Sequence, residues 1–240
     1  MDFSKTEIVE LKRQAAETAV EWLLKEYDAS DNIYIGAGSG STVAYGFPRL
    51  TEFTNLTAVP TSNETRDKLE ALDIPTEGLE GHDELLFDID GADEVDPNLN
   101  LIKGGGGCHN REKQVANRSK LLVITVDERK LVDYLGQSFP LPVEVVPEAR
   151  NGLIDRLGDY GEAKIRADDS GLFSTDGGNL IVDVRLQRRY DEDTLKLLEE
   201  ELNDIDGVVE NGLFVLRKAD VVFVGAEDGV RMIKHEKTQE

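Results

Sequence analysis

The sequence predicts an α/β protein with a Rossmann-like parallel-sheet domain and a smaller ferredoxin-like α+β domain. Three observations carry that expectation. Short apolar runs alternate with helix-period segments from residue 4 to about residue 135, the pattern of a parallel sheet covered on both faces. Phe-Pro-Leu-Pro at 139–142 then punctuates the chain. Beyond it the order becomes strand, helix, strand, strand, helix, strand, which is the ferredoxin-like arrangement. Residues 1–138 and 218–240 are therefore assigned to the larger, catalytic domain, because the apolar run at 219–225 reads as a strand returning to the first sheet. Residues 139–217 form the smaller one.

The elements follow in order. Ser4 with Glu7 fits a capping box, and Ile8, Leu11, Ala15, Ala19, Trp22 and Leu23 recur on one face, so a helix is expected to about residue 27. A short strand at 32–35 runs into Gly-Ala-Gly-Ser-Gly-Ser-Thr (36–42), with a helix expected at 42–50. Residues 56–59 read as a strand and 64–72 as a helix. The run at 84–89 reads as a strand ending at Asp-Gly-Ala-Asp-Glu (90–94). Lys-Gly-Gly-Gly-Gly (103–107) reads as a loop opening a helix at 110–119, followed by a strand at 121–126 and a short helix at 129–135. In the smaller domain, strands are expected at 143–146, 163–166, 180–184 and 208–216, the last interrupted at Asn211-Gly212. Helices are expected at 147–157 and 191–202, and residues 168–179 are rich in turn formers.

Composition narrows the function classes. The chain has 240 residues, 39% hydrophobic and 32% charged, as expected of a soluble globular protein. No apolar run reaches the length of a membrane span, and no basic segment precedes an apolar stretch at the N-terminus, so a cytoplasmic location is expected. The single cysteine, Cys108, excludes an intrachain disulfide framework. Acidic residues number 49 against 27 basic ones, a net charge of −22. Such a surface disfavours nucleic acid and anionic membranes as partners. Acid spread along the whole chain also points to a salt-rich, haloarchaeal-like cytoplasm. In about 1 M salt the Debye length is only about 3 Å, so distant carboxylates are screened while direct contacts to an anionic ligand survive.

Three motifs carry chemistry. At 36–42, glycines between a strand and a helix let a ligand approach the backbone, and Ser39, Ser41 and Thr42 add hydroxyl donors. The strict dinucleotide and P-loop patterns both fail here, so the segment reads as an anion cradle or as a tight structural turn. Asp90-Gly91-Ala92-Asp93 ends an apolar strand, where open α/β sheets place their ligand crevice; a solvated acidic loop is the alternative. Lys103 followed by four glycines carries a large entropic cost, easier to understand where a ligand lies against bare backbone. Glu112, in the first turn of the next helix, is placed as a proton shuttle or as a first-turn Glu favoured by the helix dipole. Cys108 and His109 read as packed or supporting residues. His82 and His235 show no metal-ligand spacing, and no metal or cofactor is expected.

Across these motifs the chain resembles type A ribose-5-phosphate isomerase. The resemblance extends through 127–130, 139–147, 206–214 and 225–230 and covers nearly the whole length. It implies an aldose–ketose isomerase interconverting ribose 5-phosphate and ribulose 5-phosphate through an enediolate, without cofactor, as a homodimer or homotetramer. It implies Glu112 as general base, with Asp90, Asp93 and Lys103 managing charge and protons near the sugar carbonyl and hydroxyls. Ser39, Gly40, Ser41, Thr42, Gly91, Ala92, Gly104, Gly105, Gly106 and Lys130 match the remaining substrate-binding positions, and Lys12 is placed near the phosphate. Ser39 stands where many relatives carry Thr, with the hydroxyl retained. The alternatives are a sugar-phosphate-sensing domain, another sugar-phosphate enzyme on the same scaffold, and an isomerase with Cys108 as base. The acidic surface generates a test: the melting temperature and the specific activity rise between 0.1 and about 2 M KCl, and values unchanged across that range would exclude salt adaptation.

Overall fold

A computed structural model describes residues 3–27, 32–169 and 171–234; His235 and Ser170 lie outside the described residues. Along the chain the main elements are α1 (Lys5–Glu26), β1 (Ile33–Ala37), β2 (Leu56–Pro60), α2 (Asn63–Glu70), β3 (Asp88–Asp90), α3 (His109–Arg118), β4 (Leu122–Asp127), β5 (Leu141–Val145), α4 (Arg150–Leu157), β6 (Gly161–Ile165), β7 (Leu180–Leu186), α5 (Glu192–Asn203), β8 (Val208–Asn211), β9 (Val221–Ala226) and β10 (Gly229–Lys234). They divide into two compact units: Met1–Ala92, Gln114–Lys130 and Ala219–Glu240 form the first, and Asp93–Lys113 with Leu131–Lys218 the second.

The first unit is built on a six-stranded sheet of order β10-β9-β4-β3-β1-β2. Every pairing is parallel except β9 with β10. Strands β3, β4 and β9 are buried at every position, as strands covered on both faces must be. The capping box at α1 is present: Ser4 N–H donates to Glu7 Oε2 at 2.7 Å, and Glu7 N–H donates to Ser4 Oγ at 3.3 Å. The helix buries Leu11, Ala15, Ala16, Ala19, Val20 and Leu23. A Cβ at Gly225 would lie 2.0 Å from the Leu11 carbonyl oxygen, so only glycine lets α1 approach β9 this closely. Strand β10 gave no apolar signal because it is an edge; its Arg231 and Lys234 are charges of the kind that discourage edge-to-edge pairing.

Four local expectations are corrected. Residues 42–50 form a 3₁₀ turn (Val43–Tyr45) and a four-residue helix (Phe47–Leu50) rather than one helix. Gly46 separates the two pieces, and Pro48, in the first turn of the second, lacks the N–H a continuous helix needs. Of 84–89, only the segment from Asp88 onward pairs as strand, with Leu85 forming one isolated bridge to Ser119. Residues 129–135 form a 3₁₀ turn (Glu128–Lys130), a single bridge of Leu131 to Val95 and then bends, because Val132 N–H bonds to the Val95 carbonyl at 3.0 Å. The stretch 208–216 divides at Gly212 between two different sheets.

The second unit carries an antiparallel sheet of order β8-β5-β7-β6, the ferredoxin-like order, with α4 and α5 as its crossovers. Asp191 caps α5 by accepting from Thr194 N–H at 2.9 Å. Leu195, Leu198 and Leu202 of α5 join Leu141, Val143, Val145, Val182, Val184, Leu153 and Leu157 in one core. A small three-stranded sheet, Leu213–Phe214, Leu101–Ile102 and Glu94–Val95, completes the unit. Lys103 N–H bonds to the Gly212 carbonyl at 2.9 Å. A Cβ on Gly212 would fall 2.3 Å from the Lys103 carbonyl, so glycine is required there.

The buried Glu94 side chain ties this sheet to the following loop. Its Oε1 accepts from Ser138 N–H (2.6 Å), Ser138 Oγ (2.8 Å) and Phe139 N–H (2.7 Å), and its Oε2 from Gly136 N–H (2.6 Å). Glu94→Gln places an amide NH₂ against at least one of these donors. It is expected to lower the unfolding free energy by about 2 kcal/mol, read as a reduced urea midpoint.

Candidate active site

In the first unit, the turn at 36–42 is shaped by the carboxylates behind it. A Cβ on Gly36 would lie 2.6 Å from Asp88 Oδ1, and one on Gly38 would lie 1.9 Å from Asp90 Oδ1. Asp90 is fully buried, and its Oδ1 accepts from Ser39 N–H at 3.0 Å and Gly91 N–H at 2.7 Å. Ser39 Oγ lies 2.7 Å from Thr61 Oγ1, and Thr65 Oγ1 donates to the Gly38 carbonyl at 3.0 Å. The tip then opens to solvent: Gly40 is exposed with φ of +117°, a conformation that favours glycine. Among the described residues, the N–H groups of Gly40, Ser41 and Thr42 donate to no protein acceptor. Lys12 Nζ donates to Ser41 Oγ at 2.8 Å. Its ammonium is held below the usual lysine range chiefly by partial burial, with Lys130 and Arg129 acting in the same direction and Asp127 opposing. The segment is therefore a serine- and threonine-lined turn with free N–H groups and the Lys12 ammonium beside it, the chemistry of an anion site.

Gly91, Ala92 and Lys130 also lie in the first unit, and the second holds Asp93, Lys103, Gly104, Gly105, Gly106 and Glu112. Lys103 Nζ lies 3.2 Å from Glu112 Oε2, with the two side chains only 3% and 6% exposed. Lys103 also lies over the Phe214 ring, 5.5 Å from its centroid. Glu112 stands in the first turn of α3, its N–H bonded to the Cys108 carbonyl at 3.0 Å. Next along the helix, Lys113 pairs with Glu199 at 2.9 Å and Glu210 at 2.8 Å, and lies 5.1 Å from the same ring centroid. Asp93 Oδ2 accepts from Gly105 N–H at 2.7 Å. The pair is a carboxylate and an ammonium in a nearly dry pocket, suited to moving a proton and stabilising the oxyanion that results.

The glycine run has mixed causes. Gly104 (φ +102°) lies against the His109 ring and Gly107 (φ +72°) against Phe173; a Cβ on Gly105 would lie 2.6 Å from Asp93 Oδ1. Gly106 alone of the four meets nothing within 4 Å. His109 is fully buried, and its Nε2 lies 3.2 Å from the Glu210 carbonyl oxygen. Burial depresses its pKa to about 3 against the opposing effect of that carbonyl, so the ring is neutral at physiological pH. Cys108 Sγ donates to the Gly106 carbonyl at 3.5 Å. Among the described residues, no cluster of three or more His, Cys, Asp or Glu side chains is arranged to hold a metal ion.

Several contributors escaped the sequence reading. Thr61 and Thr65 support Ser39, Phe214 underlies both buried ammonium groups, and Arg166 binds the glycine run. Phe214 sits in a segment that shares the family resemblance. Arg166 had no local signal, since its partners in the glycine run lie more than 60 residues away along the chain.

Comparison with known proteins follows the same lines. The family described as ribose 5-phosphate isomerase A (phosphoriboisomerase A) matches residues 57–229. Ribose-5-phosphate isomerase A of Pyrococcus abyssi is 41% identical over 95% of this chain and 99% of its own length. That of Synechococcus sp. is 44% identical over 82% of this chain and 88% of its own. Among solved structures, ribose 5-phosphate isomerase from Plasmodium falciparum superposes with a TM-score of 0.87 at 33% identity, covering 95% of this chain and 100% of that one. A D-ribose-5-phosphate isomerase in complex with phospho-erythronic acid superposes with a TM-score of 0.85 at 38% identity, covering 95% and 99%.

The contrast between glycines is testable. Gly38→Ala drives a methyl into the Asp90 carboxylate and is expected to cost about 1–3 kcal/mol. Gly106→Ala is expected to change stability by less than about 0.5 kcal/mol. Thermal unfolding of the two variants beside the parent checks both values.

Proposed function

The chain belongs to the ribose 5-phosphate isomerase A family, and from that premise we propose that it interconverts D-ribose 5-phosphate and D-ribulose 5-phosphate with Glu112 as general base. The observation that carries this reading is the buried Lys103–Glu112 pair at 3.2 Å. In the open-chain aldose, the Glu112 carboxylate takes the proton from C2. The electron pair forms the C1–C2 double bond, and the carbonyl electrons move onto O1. The Lys103 ammonium offsets that charge in a site shielded from water, where it acts most strongly. The O2 hydroxyl proton passes to O1, and Glu112 returns its proton to C1 as O2 becomes the ketone oxygen, so atoms and charge balance without cofactor or oxidant.

The remaining roles follow from chemistry. Asp90 and Asp93 take the sugar hydroxyls, each already oriented by a backbone N–H. Ser39, Gly40, Ser41 and Thr42 supply N–H and hydroxyl donors to the phosphate, with Lys12 and Lys130 as cations. Gly91, Ala92, Gly104, Gly105 and Gly106 offer backbone to the sugar. Phospho-erythronic acid, bound by one relative, is a phosphorylated sugar acid whose carboxylate carries negative charge much as an enediolate does, which supports the same reading. The fully buried, neutral His109 and the thiol of Cys108, engaged with Gly106, make poorer bases. The enzyme belongs to the pentose phosphate pathway, acts as a homodimer or homotetramer in the cytoplasm, and its acidic surface suits a halophilic source.

Glu112→Gln keeps the shape and removes the basic oxygen. Turnover of ribose 5-phosphate is expected to fall about 10²–10⁴-fold, with KM within about threefold of the parent because phosphate binding lies elsewhere. Near-parental kcat in the variant would overturn the assignment of the base.

A further inference from the structure

We propose that Arg166 is a positioning residue for the isomerisation, holding the Gly104–Gly105 peptide and, through it, Asp93. The inference rests on the functional reading above and extends it to a residue outside the substrate-binding set.

The geometry begins with the guanidinium. Arg166 follows β6 and its side chain is only 13% exposed. Its Nε donates to Asp183 Oδ2 at 2.9 Å and its Nη2 to Asp183 Oδ1 at 2.5 Å. This two-pronged pair on β7 fixes the plane of the fork. The remaining amino group, Nη1, donates to the carbonyls of both Gly104 and Gly105 at 2.9 Å. The Phe173 ring lies 5.5 Å from the guanidinium carbon and also packs against Gly107. One arginine and its neighbour therefore grip three of the four glycines.

One peptide group links this grip to the proposed chemistry. The carbonyl of Gly104 and the N–H of Gly105 belong to the same planar amide. Its oxygen accepts from Arg166, and its N–H donates to Asp93 Oδ2 at 2.7 Å. A chain of hydrogen bonds thus runs from a guanidinium through a peptide to a carboxylate assigned to the sugar hydroxyls, and such chains strengthen each member. Without an anchor, consecutive glycines sample many backbone conformations. Lys103 is the residue before this peptide, so rotation of the amide would also disturb the partner of Glu112. Misplacement by about 1 Å at a reacting centre costs on the order of 10²-fold in rate.

Arg166→Lys separates positioning from simple structural support. Lysine keeps the charge and can pair with Asp183, but a single ammonium cannot reproduce the fixed fork. The expected result is a kcat at least about tenfold lower, KM within about threefold, and a melting temperature close to the parent's. The same substitution is then made in an Asp93→Asn background, where its effect on kcat should shrink to under about threefold, since coupled residues are not additive. A folded Arg166→Lys variant with kcat within twofold of the parent would overturn the proposal. So would a loss of equal size in the Asp93→Asn background, because support unrelated to Asp93 would act equally in both. If Arg166→Lys does not fold, Asp183→Asn, which frees the guanidinium from its anchor, is read by the same criteria. An inactive parent would sink the functional reading together with this inference; an active parent with an indifferent Arg166 sinks this inference alone.

Discussion

Burial of charge around Phe214 is the constraint on which the second unit depends. Lys103, Glu112, Lys113 and Glu199 are nearly excluded from water, and Glu210 is only slightly more open. Removing an ion from water costs several kcal/mol even after relaxation, and an unpaired buried charge is strongly destabilising. Each ammonium here has a carboxylate within 3.2 Å, and both face the same aromatic ring. That arrangement needs three separated segments to meet: Leu101–Ile102, Leu213–Phe214 and the first turn of α3. The small three-stranded sheet brings the first two together, and Gly212 lets Lys103 lie against the turning chain. The catalytic assignment and the local fold thus share one cause. The proposed base and the cation beside it are thus held in place by the packing of the unit, an arrangement that lowers the reorganisation needed during reaction.

The same acids that give the chain its net charge serve indoors as clamps on loops. Asp90 holds the N–H groups of Ser39 and Gly91; Asp93 holds that of Gly105; Glu94 gathers the segment from Gly136 to Phe139. Glu199 accepts from Val215 and Leu216 N–H while pairing with Lys113. Asp96 orders its own turn through Asn98 and Asn100 N–H, with its carboxyl pushed above the ordinary range by burial. Loops are where backbone groups lack ladder partners, and a carboxylate can satisfy two or more of them at once. Acidic residues are therefore of two kinds in this chain. The exposed ones carry the surface charge, and the buried ones set loop geometry.

Much of this was legible in the sequence. The alternation of strands and helices and the capping box at Ser4 depend on local pattern, and the structure follows them. Pairing of Lys103 with Glu112, and of Asp90 with the turn at Ser39, joined residues that the motifs already singled out. What escaped depends on distant partners. Residues 129–135 have helical composition, yet Leu131 and Val132 are drawn out of a helix by pairing with Val95. Strand β10 is half exposed, so its pattern is faint. Arg166 is one arginine among many until the fold sets it beside Gly104. Periodicity reports which face is buried; it does not report which partner lies across that face.

The glycine run shows how the two kinds of reading divide the work. Four consecutive flexible residues suggest a surface kept bare for a ligand. The structure assigns internal reasons to three: His109 crowds Gly104, Asp93 crowds Gly105, and Phe173 crowds Gly107. Two of these also have φ values that side chains disfavour. Only Gly106 is left without a protein neighbour near its missing side chain, and it is exposed. The run is thus mainly a device for folding the backbone tightly around a carboxylate and a buried imidazole. The same turn links Asp93, Lys103 and Glu112, the residues proposed for the chemistry. Flexibility in the unfolded sequence becomes order in the folded loop, since Arg166 and Asp93 hold Gly104 and Gly105 and Phe173 packs against Gly107.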